Sequence, residues 1–137
     1  MSSPRGPRYR QLPLWHDATR FLTETELAVR SFPRYHKYTL GSDLRRQAMN
    51  ICRLVARAAQ AGALAEREPL IAQLVWQVED VKMSVQLAKE VEAFASFAQF
   101  QRLAEAAVAL GKQSGGGWWK RTRSAVQASS QLGGAGT

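Results

Sequence analysis

Apolar residues return at the three- and four-residue spacing of an α-helix in four successive segments of this chain, and almost no segment alternates as a strand does. The predicted helices cover residues 14–31, residue 42 or 43 to the glycine at 62, residues 65–92 and residues 96–112. Four such helices joined by short connections are typical of an all-α, antiparallel four-helix bundle, and we expect that fold.

Proline and glycine set the expected helix boundaries. Pro33 ends the first helix, because proline lacks an N–H donor and disfavours helix in the residue before it. Ser42 or Asp43 is expected to cap the second helix with its side chain. Pro69 is tolerated near a helix start, so the well-formed part of the third helix is expected to begin there, and residues 115–117 are expected to stop the fourth.

The apolar stripes of the four helices define a candidate core. Cys52 lies on this face and is expected to be a small packed apolar residue, because free cysteine is usually buried and inert. Leu54 and Leu87 lie at helix edges and are expected between subunits. The positions expected to face inward are Leu14, Ala18, Phe21, Leu22, Thr25, Ala28, Val29, Phe32, Leu44, Ala48, Ile51, Cys52, Val55, Ala58, Ala59, Leu70, Ile71, Leu74, Val75, Val78, Val81, Val85, Ala88, Phe97, Phe100, Leu103, Ala104, Ala107 and Leu110.

The chain has 137 residues, 45% of them hydrophobic, which predicts one packed domain. No apolar run approaches the roughly 20 residues that span a bilayer, and the basic N-terminus is not followed by an apolar signal segment. We therefore expect a cytoplasmic protein without membrane contact. The expected parts are a flexible basic arm at 1–13, the bundle with its basic C-terminal end at 14–123, and a disordered tail rich in Gly, Ser and Gln at 124–137.

The formal net charge of +8 favours a polyanionic partner. The charge is uneven, with a net +7 over residues 1–61, −3 over 62–92 and +4 over 93–137. This pattern predicts that the basic parts meet phosphate and that the acidic segment meets protein or pairs with neighbouring arginines. The acidic candidates are Glu66, Glu68, Glu79 and Asp80.

The sequence contains no recognisable catalytic group. Gly111-Lys112 has the wrong order and context for a phosphate-binding loop. One cysteine and two histidines offer no disulfide framework and poor material for zinc. Successive helical residues do not share a face, so Glu79-Asp80 is not an acid–base pair. We expect a protein that is not an enzyme and has no cofactor or metal.

The second predicted helix carries a line of arginines opposite its apolar stripe. Arg46, Arg53 and Arg57 lie on one narrow strip with Asn50, at 3.6 residues per turn. Guanidinium groups in a line repel one another unless an anion lies across them. The strip is therefore a candidate phosphate contact, and the alternative is a solvated face or pairing with the acidic helix or another subunit.

Residues 32–41 form an aromatic and basic connection. Aromatic side chains stack on unpaired bases while basic groups hold phosphate, so Arg34, His36, Lys37 and the following Arg45 are candidate nucleic-acid contacts. The alternative is that the tyrosines pack over the bundle end, with residues 33–40 forming a structured loop that joins two helices.

The C-terminal end combines two tryptophans with basic residues. Trp118 and Trp119 are expected to cap the bundle or to enter a subunit interface, because exposed paired tryptophans are costly without a partner. Lys120, Arg121 and Arg123 are further candidates for contact with nucleic acid.

The connection between the first two predicted helices, at residues 32–41, resembles the corresponding junction of a known bacterial four-helix family. The family comprises proteins encoded in 23S rRNA intervening sequences and the accessory variability determinant proteins of diversity-generating retroelements. The similarity covers about residues 14–123, and the segments that carry it are FPRYHKYTLG at residues 32–41, Leu44-Arg45-Arg46, Gly111-Lys112-Gln113 and Gly116-Gly117-Trp118.

The resemblance implies a protomer of a barrel-like homopentamer. In the retroelement branch it implies a basic surface that binds a reverse transcriptase and its RNA, or DNA, to support mutagenic cDNA synthesis without chemistry of its own. The positive charge favours this branch, and the acidic segment would then receive the polymerase. The alternative is an intervening-sequence-type protein that acts as a protein-interaction module.

Overall fold

A computed structural model of the chain describes residues 8–116, and within that range it contains helices and no strand. Four helices are long, and a helical junction links the first two of them. The elements are a short 3-10 helix at Arg8–Gln11, α1 at Pro13–Arg30, α2 at Arg34–His36, a π-helical turn at Lys37–Gly41, α3 at Ser42–Gln60, α4 at Leu64–Glu90 and α5 at Phe97–Gly116.

The long helices pack as a four-helix bundle. α1 packs against α3, α3 against α4, α4 against α5, and α5 closes back on α1. α1 and α3 run antiparallel, because the residues that meet along them follow opposite orders. The Cys52 thiol donates a hydrogen bond to the Ala18 carbonyl. Arg45, earlier in α3, pairs with Glu26, which is later in α1. The expected all-α four-helix fold is confirmed.

The predicted core is confirmed except at one position. All but one of the predicted inward positions are buried or half-buried. The exception is Phe97, which is 66% exposed and begins α5. The core at this end of the bundle is filled instead by Phe100 and Phe94, whose ring centroids lie 5.6 Å apart, and by Phe32, whose ring centroid lies 5.3 Å from that of Phe94.

Leu54 is another correction. It was expected at a helix edge between subunits, but it is 5% exposed within a single chain. The cause is that α3 packs against both α1 and α4, so it buries a wider arc than one apolar stripe. Leu87, on α4, is exposed as expected of an edge residue.

The junction between α1 and α3 is helical, whereas a loop was expected. The Pro33 carbonyl accepts hydrogen bonds from the N–H groups of His36, at 2.9 Å, and Lys37, at 3.0 Å, so the helix starts directly after the proline. The expected side-chain cap at Ser42 or Asp43 is wrong. Ser42 has helical φ and ψ of −63° and −37°, and Gly41 before it is helical as well, so no helix end exists there to cap.

Two further helix limits differ from the expected ones. α4 begins at Leu64, so Pro69 lies inside it. The Arg67 guanidinium donates to the Ala61 carbonyl at 2.8 Å, which ties the first turns of α4 to the end of α3. α5 continues past residue 112, the expected last residue of the helix, to Gly116, and within it the Ser114 hydroxyl donates to the Gly111 carbonyl at 3.3 Å.

The two ends of the α4–α5 connection are closed by local hydrogen bonds. Ala93 donates its N–H to the Ala88 carbonyl at 2.9 Å, while Glu92 between them has a φ of 59°. This is the left-handed helix ending that usually takes glycine. At the start of α5 the Ser96 hydroxyl accepts the N–H of Gln99 at 3.1 Å, which is an N-terminal cap.

Part of the expected flexible arm is ordered against the bundle. Arg8–Gln11 is a single 3-10 turn, and the Tyr9 ring meets Trp15 edge-on at a centroid distance of 4.8 Å. Pro13 then occupies the first helical position of α1, where its missing N–H costs nothing. The predictions for residues 1–7 and for the C-terminal tail lie outside the described residues.

No helix within residues 8–116 is both long and apolar enough to cross a membrane.

Candidate nucleic-acid interface

Two tyrosines project into solvent from the helical junction. Tyr35 on α2 is 84% exposed, and Tyr38 on the π-helical turn is 71% exposed. They do not pack over the bundle end, which was the alternative to a binding role. Arg34 is exposed beside them, and His36 is half-buried, with its ring edge-on to Tyr35 at 5.0 Å. The junction therefore displays aromatic faces and positive charge together.

A basic cleft of about 230 Å³ opens between the end of α1 and the start of α3. Three cationic side chains line it from three different elements: Arg30 in the last turn of α1, Lys37 on the π-helical turn, and Arg45 near the start of α3. Tyr38 and Ser42 also line it. We call this cleft the junction pocket.

Glu26 is the acidic residue of the junction pocket. Its carboxylate accepts a hydrogen bond from the Arg45 guanidinium at 2.6 Å, and both side chains are partly exposed. The pair therefore links α1 to α3 at the protein surface, where such ion pairs contribute up to about 1 kcal/mol to stability. Arg45, predicted as a phosphate contact, is thus partly neutralised in the free protein.

The arginine strip is confirmed as an exposed face of α3. Arg46, Arg53 and Arg57 are all exposed. Arg46 pairs with Asp43 at 3.1 Å, and Arg53 donates to the Asn50 side-chain oxygen at 2.9 Å. Arg57 has no acidic partner within the described range. Since Arg45 lies about 100° around the helix from Arg46, the junction pocket and the strip are separate basic surfaces.

The acidic candidates are exposed but do not form one cluster. Glu66 and Glu68 lie in the first turns of α4, whereas Asp80 lies about 20 Å further along the helix axis. Glu79 pairs with Lys82 at 3.1 Å. Any docking role therefore divides between the start and the middle of this helix.

An apolar stripe lies on the outward face of α4. Trp76 is 71% exposed, and Met83 and Leu87 are also exposed. Their spacing of seven and four residues places them on one face of the helix. Met83 also lines a groove of about 250 Å³ with Ala104 and Val108 of α5. The sequence pattern did not single out Trp76 or Met83, although this spacing beside the core stripe was the available signal.

The interior holds little reactive chemistry. Cys52 is buried, as expected of a packed apolar residue. Burial raises the pKa of its thiol to about 11, against the lowering effect of Arg53. Within residues 8–116 there is no group of three or more His, Cys, Asp or Glu side chains that could hold a metal ion.

The sequence predictions also missed part of the junction pocket. Arg30, Glu26 and Ser42 were not predicted as binding residues, because they lie outside the aromatic and basic connection in sequence. The available signal was that Arg30 lies three residues before Pro33, at the same end of the bundle. The predicted contacts Lys120, Arg121 and Arg123, together with Trp118 and Trp119, lie outside the described residues.

The fold and this surface define an all-α, four-helix protein with an exposed basic and aromatic junction. No protein-family model matches the chain, and no curated protein matches it. The family resemblance therefore depends on the residues of the junction and of the C-terminal end alone.

Proposed function

We propose that the protein is a non-enzymatic nucleic-acid-binding accessory factor, which associates with a retroelement reverse transcriptase and its template RNA to support mutagenic cDNA synthesis. The observation that carries the proposal is the exposure of Tyr35 and Tyr38 beside the cationic junction. Proteins that bind single-stranded nucleic acid combine exposed aromatic side chains with cationic side chains in this way.

The arginine strip supports the same role. Arg53 and Arg57 point away from the core and lack acidic partners in the described part of the chain. A line of such charges is relieved by a phosphate backbone, which also releases bound counterions. Binding through the strip would be largely independent of base sequence, because phosphate contacts position a strand without reading it.

The reverse-transcriptase partner follows from the resemblance of the junction to the retroelement branch. The acidic residues of α4 would receive a basic polymerase, because complementary potentials favour encounter and fix orientation. Glu66 and Glu68 lie in the first turns of α4, apart from the apolar stripe of Trp76, Met83 and Leu87, so they stay available to a polymerase when the stripe lies between subunits.

We further propose that the protomers form a closed ring of five, as the resemblance implies. The apolar stripe of Trp76, Met83 and Leu87 supplies exposed apolar area for a contact between subunits. Heterologous contacts give a ring when the rotation between subunits closes. Light scattering at micromolar protein should return five times the mass of one chain, and a monomer mass would refute the ring.

One observation favours a second candidate, a protein-interaction module of the intervening-sequence type. Arg45 and Arg46 are already paired with Glu26 and Asp43. If the remaining cations also serve solubility or subunit contacts, the protein would bind other proteins through α4 and would not bind nucleic acid.

Binding to RNA and DNA separates the two candidates. In fluorescence titrations, log affinity should fall with log salt by about 0.7–0.9 per phosphate contact. Substitution of Arg46, Arg53 and Arg57 by Gln should weaken binding and flatten this slope while leaving helicity unchanged. A matched variant removes the same charge from the other side of the bundle, at Lys82, Arg102 and Lys112, and should have a smaller effect. The absence of salt-dependent binding by the unaltered protein would favour the interaction module.

Polymerase capture tests the acidic residues of α4 directly. Charge reversal to Lys should weaken polymerase capture more than it weakens RNA binding. Normal capture by a folded variant would remove these residues from the mechanism, and loss of assembly would assign them to subunit contacts. The reversed residues are Glu66, Glu68, Glu79 and Asp80.

A further inference from the structure

We infer that the junction pocket holds one unpaired nucleotide of an RNA or DNA strand, with the phosphate among its cations and the base on Tyr38. This inference rests on the proposed nucleic-acid-binding function and names the form of nucleic acid that the site selects.

The residues that line the pocket favour an anionic ligand. Arg30, Lys37 and Arg45 come from three separate elements and converge on one cleft. Like charges brought together raise the energy of the free protein unless a negative group enters. Glu26 offsets one of the three charges through its bond to Arg45. The pocket therefore keeps an excess of positive charge, which suits a phosphodiester.

The pocket is a small open cleft of about 230 Å³, which suits one phosphate–sugar unit rather than a long stretch of strand. The Ser42 side chain lies on the wall, where its hydroxyl can donate to a phosphate or sugar oxygen. A phosphate of a strand or of a duplex can reach these cations, so the preference for an unpaired strand depends on Tyr38.

Tyr38 accounts for the preference for an unpaired base. Tyr38 lines the pocket and is 71% exposed, so an aromatic side chain is available next to the cations. In a duplex the faces of the bases are already stacked on one another, whereas an unpaired base can lie on an aromatic side chain. Tyr35 is also exposed but does not line the pocket. The two tyrosines therefore differ in geometry while having the same chemistry.

Glu26 acts as a counter-charge that the phosphate displaces. Its carboxylate holds the Arg45 guanidinium at 2.6 Å, so a phosphate must compete for the same donors. Glu26→Gln removes the competing charge while keeping a side chain of the same shape. It should therefore strengthen single-strand binding, which a merely structural ion pair would not do.

The first test compares strands and duplex on the full chain. Fluorescence anisotropy is measured with labelled oligouridine, oligothymidine and a mixed-sequence DNA duplex of equal length. Tyr38→Ala should lose about five- to one-hundred-fold affinity for the single strands, as is typical for loss of one stacked base. Duplex affinity should stay within about twofold, and Tyr38→Leu should repeat the loss if removal of the ring is the cause. Equal affinity of the unaltered protein for strand and duplex would overturn the inference.

The matched control is Tyr35→Ala, which removes the other exposed tyrosine ring, at a residue that does not line the pocket. A loss equal to that of Tyr38→Ala would assign stacking to the whole aromatic surface and refute a single pocket. If none of the three ligands binds in a salt-dependent way, the proposed function fails together with the inference. If all three bind and Tyr38→Ala has no selective effect, the inference alone fails.

The second test uses the counter-charge. Glu26→Gln should tighten single-strand binding by about two- to fivefold, the worth of an exposed ion pair. The slope of log affinity against log salt should change by less than the roughly 0.7 of one contact, since the same phosphate occupies the pocket in both proteins. Glu79→Gln makes the same change in charge at the pair with Lys82, outside the pocket, and should leave both quantities unaltered. Weaker binding by Glu26→Gln would overturn the role given to Arg45.

Discussion

Gly41 lies where the junction crosses α1, and a single added methyl group there should destabilise the protein. A Cβ at this position would lie 2.8 Å from Val29 Cγ1, closer than packed carbons allow, and 3.4 Å from the Phe32 ring and the His36 carbonyl. Overpacking of this kind costs about 1–3 kcal/mol. Gly41 is helical, with φ −61° and ψ −45°, so alanine would otherwise gain about 1 kcal/mol. We expect Gly41→Ala to lower the free energy of unfolding by about 1 kcal/mol.

The control is the same substitution in another helix. At Gly111, a Cβ would lie 3.7 Å from Val78 Cγ1, which is ordinary contact, so Gly111→Ala should stabilise by about 1 kcal/mol. The two variants should differ by about 2 kcal/mol in urea unfolding at one fixed protein concentration. Val29→Ala makes room for the new methyl group, so the double variant should cost less than the sum of the singles. Equal stability of Gly41→Ala and Gly111→Ala would refute the close approach.

Further substitutions check other parts of the fold. Glu92→Gly should raise the free energy of unfolding by about 0.5–1 kcal/mol, because φ 59° disfavours a residue with a Cβ. Leu54→Ala should cost about 2–4 kcal/mol, as expected of a buried leucine, whereas Leu27→Ala, at a leucine that is 45% exposed, should cost about 1 kcal/mol or less; equal costs in thermal unfolding would contradict the burial of Leu54. The pKa of Cys52 is raised from 9.0 to about 11, so the unfolded state ionises first. The stability that this thiol contributes is therefore complete below about pH 9 and is lost as pH rises toward 11. Urea unfolding across this range should show a steeper decline than in Cys52→Ala, and parallel curves would contradict the shift.

The helices and their core could be predicted from the spacing of apolar residues, because each helix buries one face along its length and that face is visible in its own sequence. Leu14, Leu44 and Leu103 are fully buried where the period places them. The helical junction could not be predicted, because glycine next to serine and aspartate is a common start of a helix. Here Gly41 is instead part of continuous helical backbone, and the absence of a Cβ at this position lets Val29 approach it closely.

The junction pocket could not be predicted from the sequence for a different reason. Arg30, Lys37 and Arg45 are seven and eight residues apart, and no local spacing relates them. They meet because α1 and α3 run antiparallel and the π-helical turn brings Lys37 between them. The exposed position of Phe97 likewise depends on which aromatic residues fill the end of the bundle, and the period does not encode that choice.

Because of the π-helical turn at Lys37–Gly41, the direction of the aromatic surface depends on the number of residues in this turn. Such a turn closes its hydrogen bonds five residues apart, one more than an α-helix. Deletion of Thr39 would restore α-helical spacing and rotate the preceding turn by about 100° relative to α3. Tyr35 would then face a new direction, while the buried side chains of α3 kept theirs. A change of one residue in length at this point is therefore a way to redirect a binding surface on an unchanged bundle.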